Sequence, residues 1–389
     1  MTRRLNYIDW LRVLAVLLLF PFHTSRVFNY GEPFYIKSVY LSQAINIFIA
    51  FVDRWHMPLF FLLAGASTYF SLAKRSSGQY AWERVLRLFV PLVFGILVVI
   101  PPQTFVGATY NSGYTGTYWQ YIASGAFLKW NLQPAGDYYG GLGIGQLWFI
   151  LFLFLMSLVA LPFFAWGRRR GTKSVQAWAR ALGRPIMWLV PPVFIFFAEA
   201  GPSIAGKNFI YYLVFFVFGF IVIADESFAE SAERYLWLEL AVGTIVCLAW
   251  ALTAPFRDSL PDPSLPLAAY MYVVMLGEWM MLLGMLGAGR RWLDRPSVAL
   301  AYLGESSYPV YILHQTVIVV VASFVVYWHV PGVVQWLLVL TFAVAGTFAI
   351  YEGVRRVGAL RFLFGMRPKV RALPAEQPVA EEPPEGEPA

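Results

Sequence analysis

The stretch that decides the fold is residues 8–28, with the sequence IDWLRVLAVLLLFPFHTSRVF. A bilayer core of about 30 Å requires roughly 20 predominantly apolar residues in a helix, and this run meets that length. It is not typical of a cleaved signal peptide, because Arg12 and His23 lie inside the run and no small-residue cleavage site follows it. The stretch therefore predicts a transmembrane helix.

The composition of the whole chain agrees with a membrane protein. Of its 389 residues, 59% are hydrophobic and only 13% are charged, whereas soluble domains average roughly 25% charged residues. Too few charged side chains remain to cover the surfaces of several soluble domains, which argues against an ordinary globular enzyme. The basic residues behind the net charge of +7 form short clusters between apolar runs, so membrane lipid headgroups rather than nucleic acid are the expected partner.

About ten stretches are long and apolar enough to be membrane spans. These predicted spans are residues 8–28, 45–72, 88–103, 146–165, 186–200, 207–224, 236–254, 267–287, 307–328 and 332–352. The sequence thus predicts an all-α, polytopic membrane protein. Its single cysteine, Cys247, allows neither an intramolecular disulfide nor a thiolate metal cage, and no metal site is predicted.

The Lys and Arg positions predict the orientation of the chain. Most of the 29 basic residues fall in segments on the same side as the N-terminus, so both termini are expected in the cytoplasm, with the chain in the cell (plasma or inner) membrane. We expect a transmembrane domain at 1–356 and a cytoplasmic tail at 357–389, disordered from about residue 374, where Pro, Glu and Ala prevail. The outer loop at 104–145, rich in Tyr, Gly and Trp, is interpreted as an interfacial aromatic belt or as a surface that stacks on a sugar.

The first span carries three ionisable residues, and such groups cost about 2.5 to 3.5 kcal/mol each inside a bilayer, which indicates a function. Asp9, Arg12 and His23 project from one helical face, with Arg12 and His23 roughly 16 Å apart along the axis. We expect Arg12 and His23 to face one interior cavity. The alternative is that Asp9 pairs with Arg12 at the interface and that His23 is a structural donor between helices.

Two further pairs of polar residues lie one helical turn apart. Asp53 and His56 suit a pair in which the carboxylate orients an imidazole base; the alternative is a polar helix start in the outer leaflet. Arg84 and Arg87 suit the binding of one polyanion, or they are topology determinants that reach lipid headgroups.

The segment GESSYPVYILH, residues 304–314, leads into the ninth predicted span. Glu305 lies near a helix N-terminus, where a negative charge is favourable. Tyr308 and Tyr311 share a face, with His314 one turn further on; the alternative is a capped helix start with an aromatic anchor. Three other carboxylates lie in or beside spans and receive no role beyond partnering an arginine or histidine: Glu199, Glu278 and Glu352.

Taken together, these segments resemble the membrane acyltransferase-3 family, whose multispan enzymes acylate sugars, glucans and lipid-linked glycans. The resemblance extends to about Arg356 and rests on YIDWLR at 7–12 with His23, HMPLFFLLAG at 56–65, Arg84 with Arg87, LWF at 147–149, and GESSYP at 304–309 with His314. The segment at 56–65 is most similar to the branch that contains periplasmic-glucan succinyltransferases.

The resemblance implies transfer of an acyl group, most commonly acetyl with succinyl as the alternative, from cytoplasmic acyl-CoA. The acceptor would be a hydroxyl group of a cell-envelope glycan, a glycolipid or a secreted metabolite. The resemblance also implies that Arg12 and His23 are an essential pair, that Glu305 belongs to a second essential motif, and that Arg84 and Arg87 lie near the CoA phosphates.

We therefore predict two sets of site residues. The catalytic set is His23, Arg12, Glu305, Asp9 and His56, with His23 as general base on the acceptor hydroxyl or as a transient acyl carrier. The set that binds the acyl-CoA co-substrate is Arg84, Arg87, Tyr308 and His314. The alternative functions are a non-enzymatic carrier or flippase for a glycan or lipid, and an acyltransferase of another fold.

Overall fold

The computed structural model describes residues 5–129, 136–204 and 206–368. Helices dominate this part of the chain, and its only strands are the short antiparallel pair β1 (Ser203–Ile204) and β2 (Lys207–Asn208). The helices are α1 (Asn6–Ser25), α2 (Gln43–Ala73), α3 (Ser77–Ser112), α4 (Tyr118–Ala123), α5 (Trp148–Val159), α6 (Leu161–Arg169), α7 (Thr172–Leu182), α8 (Val190–Glu199), α9 (Phe209–Val222), α10 (Glu226–Leu252), α11 (Ala254–Ser259), α12 (Leu265–Leu293), α13 (Val298–Val325), α14 (Gly332–Val354) and α15 (Gly358–Leu363). The predicted all-α fold is confirmed.

Each predicted span coincides with helical structure, but the spans at 146–165, 186–200 and 207–224 contain no single helix long enough to cross a membrane. Seven helices in the described residues are long and apolar enough to cross a membrane, namely α1, α2, α3, α10, α12, α13 and α14. Helix α5 meets α6 at 51°, and α7 meets the segment that contains α8 at 95°, so the count rises to nine if each bent pair is one span. Helix α9 has 14 residues, fewer than the roughly 17 that a full crossing requires.

The short helix α9 packs against α2 with the two backbones in direct contact. A Cβ atom placed on Gly65 would clash with the carbonyl oxygen of Phe216, and one placed on Gly219 would clash with that of Leu62. Small residues at such points allow membrane helices to approach closely. The glycine that ends the segment at 56–65 is therefore required for packing.

Helix α3 carries the predicted arginine pair on an irregular turn. The helix begins with a capping box, in which Ser76 and Gln79 satisfy each other's backbone N–H groups. A π-helical turn at Val85–Phe89 then interrupts it and includes Arg87. Such wide turns occur frequently at functional sites, because they rotate the side chains that follow relative to a regular helix.

Helix α1 lies at the centre of the bundle and defines its two ends. It contacts α2, α12, α13 and α14. Its C-terminal end carries His23, and there Ser25 accepts a hydrogen bond from Trp336 at the start of α14. Its N-terminal end carries Arg12, which donates to Ser67 near the end of α2. We call these the His23 end and the Arg12 end.

The predicted tail at 357–389 begins with folded structure. Helix α15 follows α14 directly, and Phe364 just beyond it is buried against the bundle. The region predicted to be disordered from about residue 374 lies outside the described residues.

Candidate active site

A cavity of about 630 Å³ lies at the His23 end, between α1, α2, α13 and the loops that connect them. Its wall contains His23, His56 and His314, three of the four histidines in the chain. The carboxylates of Asp53 and Asp137 line it as well. The fold thus gathers three imidazoles from three helices that are far apart in sequence.

Backbone carbonyl groups orient two of these imidazoles. His314 Nδ1 lies 2.6 Å from the carbonyl oxygen of Tyr311, and His56 Nε2 lies 2.7 Å from that of Ala15. Because a carbonyl oxygen only accepts hydrogen bonds, these two nitrogens carry the protons. In the neutral rings, His314 Nε2 and His56 Nδ1 then carry lone pairs.

His23 packs directly against His314. The centroids of the two rings are 5.0 Å apart, and Phe22 contacts His23 edge-on at 5.1 Å. His23 Nδ1 and His314 Nε2 are both buried without a hydrogen-bond partner among the described residues. A buried polar atom left unpaired is costly, and an oriented imidazole with an unused lone pair is suited to accept a proton from a substrate hydroxyl.

The predicted pairing of Asp53 with His56 is not formed. Asp53 is exposed on the cavity wall, and the hydrogen bond that orients His56 goes to the carbonyl oxygen of Ala15 instead. Both residues line the same cavity, one turn apart as the spacing requires. The carboxylate of Asp53 is therefore available to a ligand rather than committed to the imidazole.

A buried polar network supports the cavity wall, and the sequence analysis did not identify it. The hydroxyl of Tyr35 donates to the Asp137 carboxylate. Gln103 donates to Tyr35 over 2.9 Å and to Gln146 over 3.1 Å, and Thr316 donates to Gln103 over 3.0 Å. Burial raises the pKa of Asp137 above its usual value. Glutamine and threonine inside apolar runs were the only available signal, and nothing in the sequence indicates their partners.

This network also changes the interpretation of the outer loop at 104–145. In its described part, Asp137, Tyr138 and Gly143 form part of the cavity wall. The adjoining Gln146 donates to the carbonyl oxygen of Ile312 over 2.8 Å, which attaches this wall to the helix that carries His314. The loop therefore encloses the cavity and is more than an aromatic belt at the interface.

Arg12 does not share this cavity with His23, so the expectation that both face one cavity is wrong. Arg12 pairs with Asp9 over 2.9 Å and donates to Ser67 over 2.6 Å, and it is absent from the cavity wall. The helical rise separates residues 12 and 23 by roughly 16 Å, and the cavity reaches only the His23 part of α1. The Asp9–Arg12 pair of the alternative interpretation is formed.

Arg84, Arg87 and Tyr308 lie together at the Arg12 end. The guanidinium group of Arg84 sits 4.4 Å from the centroid of the Tyr80 ring, and its Nε atom and the Tyr308 hydroxyl are buried without hydrogen-bond partners among the described residues. Tyr308 and the backbone carbonyl of Arg87 both approach the same point, Gly365. His314, predicted to belong with these residues, lies in the cavity beside His23 instead.

Glu305 also lies at the Arg12 end, outside the imidazole cavity. Its carboxylate accepts a hydrogen bond from Arg361 over 2.8 Å and a longer one from Tyr351 at 3.5 Å. Glu305 is therefore not a partner of His23. It anchors the segment that follows α14.

Two of the remaining carboxylates have the arginine partners that the sequence analysis expected. Glu278 is fully buried, lies 3.0 Å from Arg54 and accepts a hydrogen bond from the Tyr211 hydroxyl. Glu352 pairs with Arg355 over 3.0 Å. Both clusters join neighbouring helices or turns. The sequence analysis missed Arg54 and Tyr211, because nothing local connects them with Glu278.

Comparison with known proteins identifies the family to which the chain belongs. Residues 5–352 match the model of a family described as "Acyltransferase domain", the acyltransferase-3 family. The chain is 21% identical to "Glucans biosynthesis protein C" of Salmonella paratyphi B and of Salmonella schwarzengrund, over 94% of this chain and 95% of each relative. No solved structure matches the chain. The chain therefore belongs to the acyltransferase-3 family and is an integral membrane acyltransferase.

Proposed function

We propose that this acyltransferase moves an acetyl or succinyl group from cytoplasmic acyl-CoA to a hydroxyl group of a cell-envelope glycan or glycolipid. The observation that carries the proposal is the cavity in which His23 and His314 present unpaired nitrogens. The glycan acceptor is supported by the relatives, which are called glucans biosynthesis proteins. Carboxylates in the cavity wall, such as Asp53, supply acceptors for sugar hydroxyls.

The reaction requires one proton acceptor and one thioester. In our proposal, His23 takes the proton from the acceptor hydroxyl while the oxygen of that hydroxyl forms a bond to the thioester carbonyl carbon. The carbon–sulfur bond then breaks, the coenzyme leaves as its thiolate, and the proton held by the imidazole neutralises it. His314 lies beside His23, with 5.0 Å between the ring centroids, and in our proposal it supports the same proton transfer.

The donor would approach from the Arg12 end. Arg84 and Arg87 supply positive charge there for the phosphates of the coenzyme, and Arg12 supplies a third cation. The extended pantetheine arm of the coenzyme would then carry the thioester along the bundle towards the cavity. In this proposal the imidazoles near one end of α1 serve proton transfer, and the arginine pair near its other end holds the coenzyme.

The test measures both products of the transfer. Inverted membrane vesicles that contain the protein are incubated with radiolabelled acetyl-CoA, and in parallel with succinyl-CoA, and glycan and lipid fractions are analysed by mass. We expect release of free coenzyme together with a mass increment of one acyl unit in one fraction. A protein that acts as a carrier or flippase would leave both thioesters intact, which would overturn the proposal.

We further propose that both termini face the cytoplasm of the cell membrane, since most basic residues lie on that side. Lys74 at the Arg12 end and Thr115 beyond α3 are both exposed, and the natural Cys247 is buried. A membrane-impermeant maleimide should label Lys74→Cys only in inverted vesicles and Thr115→Cys only in intact cells whose outer barrier is permeabilised. The reverse pattern would contradict the orientation.

A further inference from the structure

The segment after α14, residues 358–367, is held on the bundle by one buried arginine. Arg361 is only 6% exposed. Its guanidinium group donates to Glu305 over 2.8 Å, to the carbonyl oxygen of Arg355 over 3.2 Å and to that of Arg367 over 2.7 Å. The side chain thus connects α13 with the residues before and after α15. A buried charge is tolerated only when it is paired and hydrogen-bonded in this way.

The same segment lies directly over the predicted donor-binding residues. Phe364 is buried, with its ring centroid 5.3 Å from that of Phe94 on α3. Gly365 has a positive φ of 66°, and a Cβ atom there would lie 2.6 Å from the ring of Tyr308 and 2.9 Å from the carbonyl oxygen of Arg87. Only glycine permits this conformation and this approach. The turn therefore brings the next residues alongside Arg87.

These contacts gather three arginines, Arg84, Arg87 and Arg367, none of which forms an ion pair with a carboxylate within 4.0 Å in the described part of the chain. Arg367 is exposed and follows Gly365 by two residues, and Gly365 lies directly against the backbone carbonyl oxygen of Arg87. Arg84 contacts the face of a tyrosine ring rather than a carboxylate. The nearby carboxylate of Glu83 forms an ion pair with Arg75 over 2.7 Å. Positively charged side chains that lie together without a paired carboxylate indicate a site for a polyanion.

We propose that Glu305 and Arg361 are positioning residues that hold the segment 358–367 so that Arg367 binds the phosphates of the coenzyme together with Arg84 and Arg87. This inference rests on the proposed use of acyl-CoA. It assigns Glu305 a role at the donor site, acting through Arg361, rather than a role in proton transfer. It also adds Arg367, which the sequence analysis placed in the predicted cytoplasmic tail without any role at the site.

The first test removes the exposed cation, whose loss cannot leave a buried charge unpaired. Full-length Arg367→Ala in lipid nanodiscs should have a KM for acetyl-CoA about fivefold higher, the size expected for an exposed ion pair, with kcat unchanged. Coenzyme A and 3′-dephospho-coenzyme A should compete with acetyl-CoA with more similar inhibition constants in the variant than in the wild type. The matched control is Arg356→Ala at the same end, whose side chain is 73% exposed and pairs with Glu352. It should leave the KM for acetyl-CoA and the competition by the two forms of the coenzyme unchanged.

The second test concerns the anchor. Glu305→Gln and Arg361→Met should raise the KM for acetyl-CoA about tenfold, because the whole segment loses its position. The double exchange Glu305→Arg with Arg361→Glu should recover part of the affinity. A Glu305→Gln protein that loses kcat, keeps the wild-type KM and is not rescued by the exchange would show a role in the chemical step and overturn the assignment.

The wild-type protein separates failure of this inference from failure of the proposed function. If the wild type consumes neither acetyl-CoA nor succinyl-CoA, the proposed function fails and this inference fails with it. If the wild type transfers the acyl group and Arg367→Ala has the wild-type KM and the wild-type preference for the 3′-phosphate, only the inference about segment 358–367 is overturned.

Discussion

The two ends of the bundle are built from different kinds of polar group. At the His23 end, three imidazoles face the cavity together with charged side chains such as Asp53 and Arg26, and backbone carbonyls orient two of these imidazoles. At the Arg12 end, the groups are permanent cations held by hydroxyls and tyrosine rings. Imidazoles exchange protons near neutral pH, whereas guanidinium groups do not. One end is therefore suited to proton transfer and the other to holding an anion.

This comparison predicts that the two ends affect different kinetic constants. Changes to the imidazoles at the His23 end should act on kcat, and changes to the arginines at the Arg12 end should act on the KM for the acyl donor. Four variants, assayed in lipid nanodiscs with acetyl-CoA or succinyl-CoA, test that separation.

The largest effect is expected for His23→Ala. Loss of a general base lowers kcat by about 10³-fold, and the KM for the donor should stay near its wild-type value. The control is His329→Ala, which removes the one histidine that is exposed and outside the cavity. A correctly folded His23→Ala protein with full activity would show that the cavity is not the catalytic centre.

Arg84→Ala should have the next largest effect. Losing a charged hydrogen bond to a phosphate raises the donor KM by about 30-fold, while kcat changes little. Arg169→Ala, an exposed arginine at the end of α6, serves as the control. If Arg84→Ala lowered kcat alone, the separation between the two ends would be wrong.

Gly65→Leu should affect both ends equally, because it disturbs the packing of α2 against α9 rather than either site. Overpacking costs about 1 to 3 kcal/mol, so we expect a lower thermal unfolding midpoint and less folded protein, with normal KM values in what remains. Gly353→Leu is the control, since a Cβ atom there meets nothing within 4 Å. Equal stability of the two variants would contradict the close contact.

The smallest effect is expected for Asp53→Asn. The carboxylate is exposed on the cavity wall, and weakening one hydrogen bond to a sugar hydroxyl should raise the acceptor KM about threefold. The donor KM should not change. Glu230→Gln, an exposed carboxylate at the Arg12 end, should alter neither constant. An effect of Asp53→Asn on the donor KM instead would show that this carboxylate contacts the donor rather than the acceptor.

The candidate site shows where reasoning from local sequence stops being reliable. Arg84 and Arg87 lie together on α3, as their spacing predicts, and His23 and His56, both predicted site residues, line one cavity. The same reasoning put Arg12 in the cavity and assigned His314 to the donor site. The structure instead places Arg12 outside the cavity and His314 beside His23. Both differences concern the rotation and depth of a side chain, which depend on how its helix packs against helices that are remote in sequence.

The sequence alone determined the all-α membrane architecture and the inventory of costly polar groups, because the length of an apolar run and the charge of a side chain are local properties. Only the tertiary structure decided which of those groups meet. His314 reached His23 across the interface of α1 with α13, and Glu305 met Arg361 rather than an imidazole. Such pairings follow from the packing of side chains and small residues between helices, which no single segment encodes.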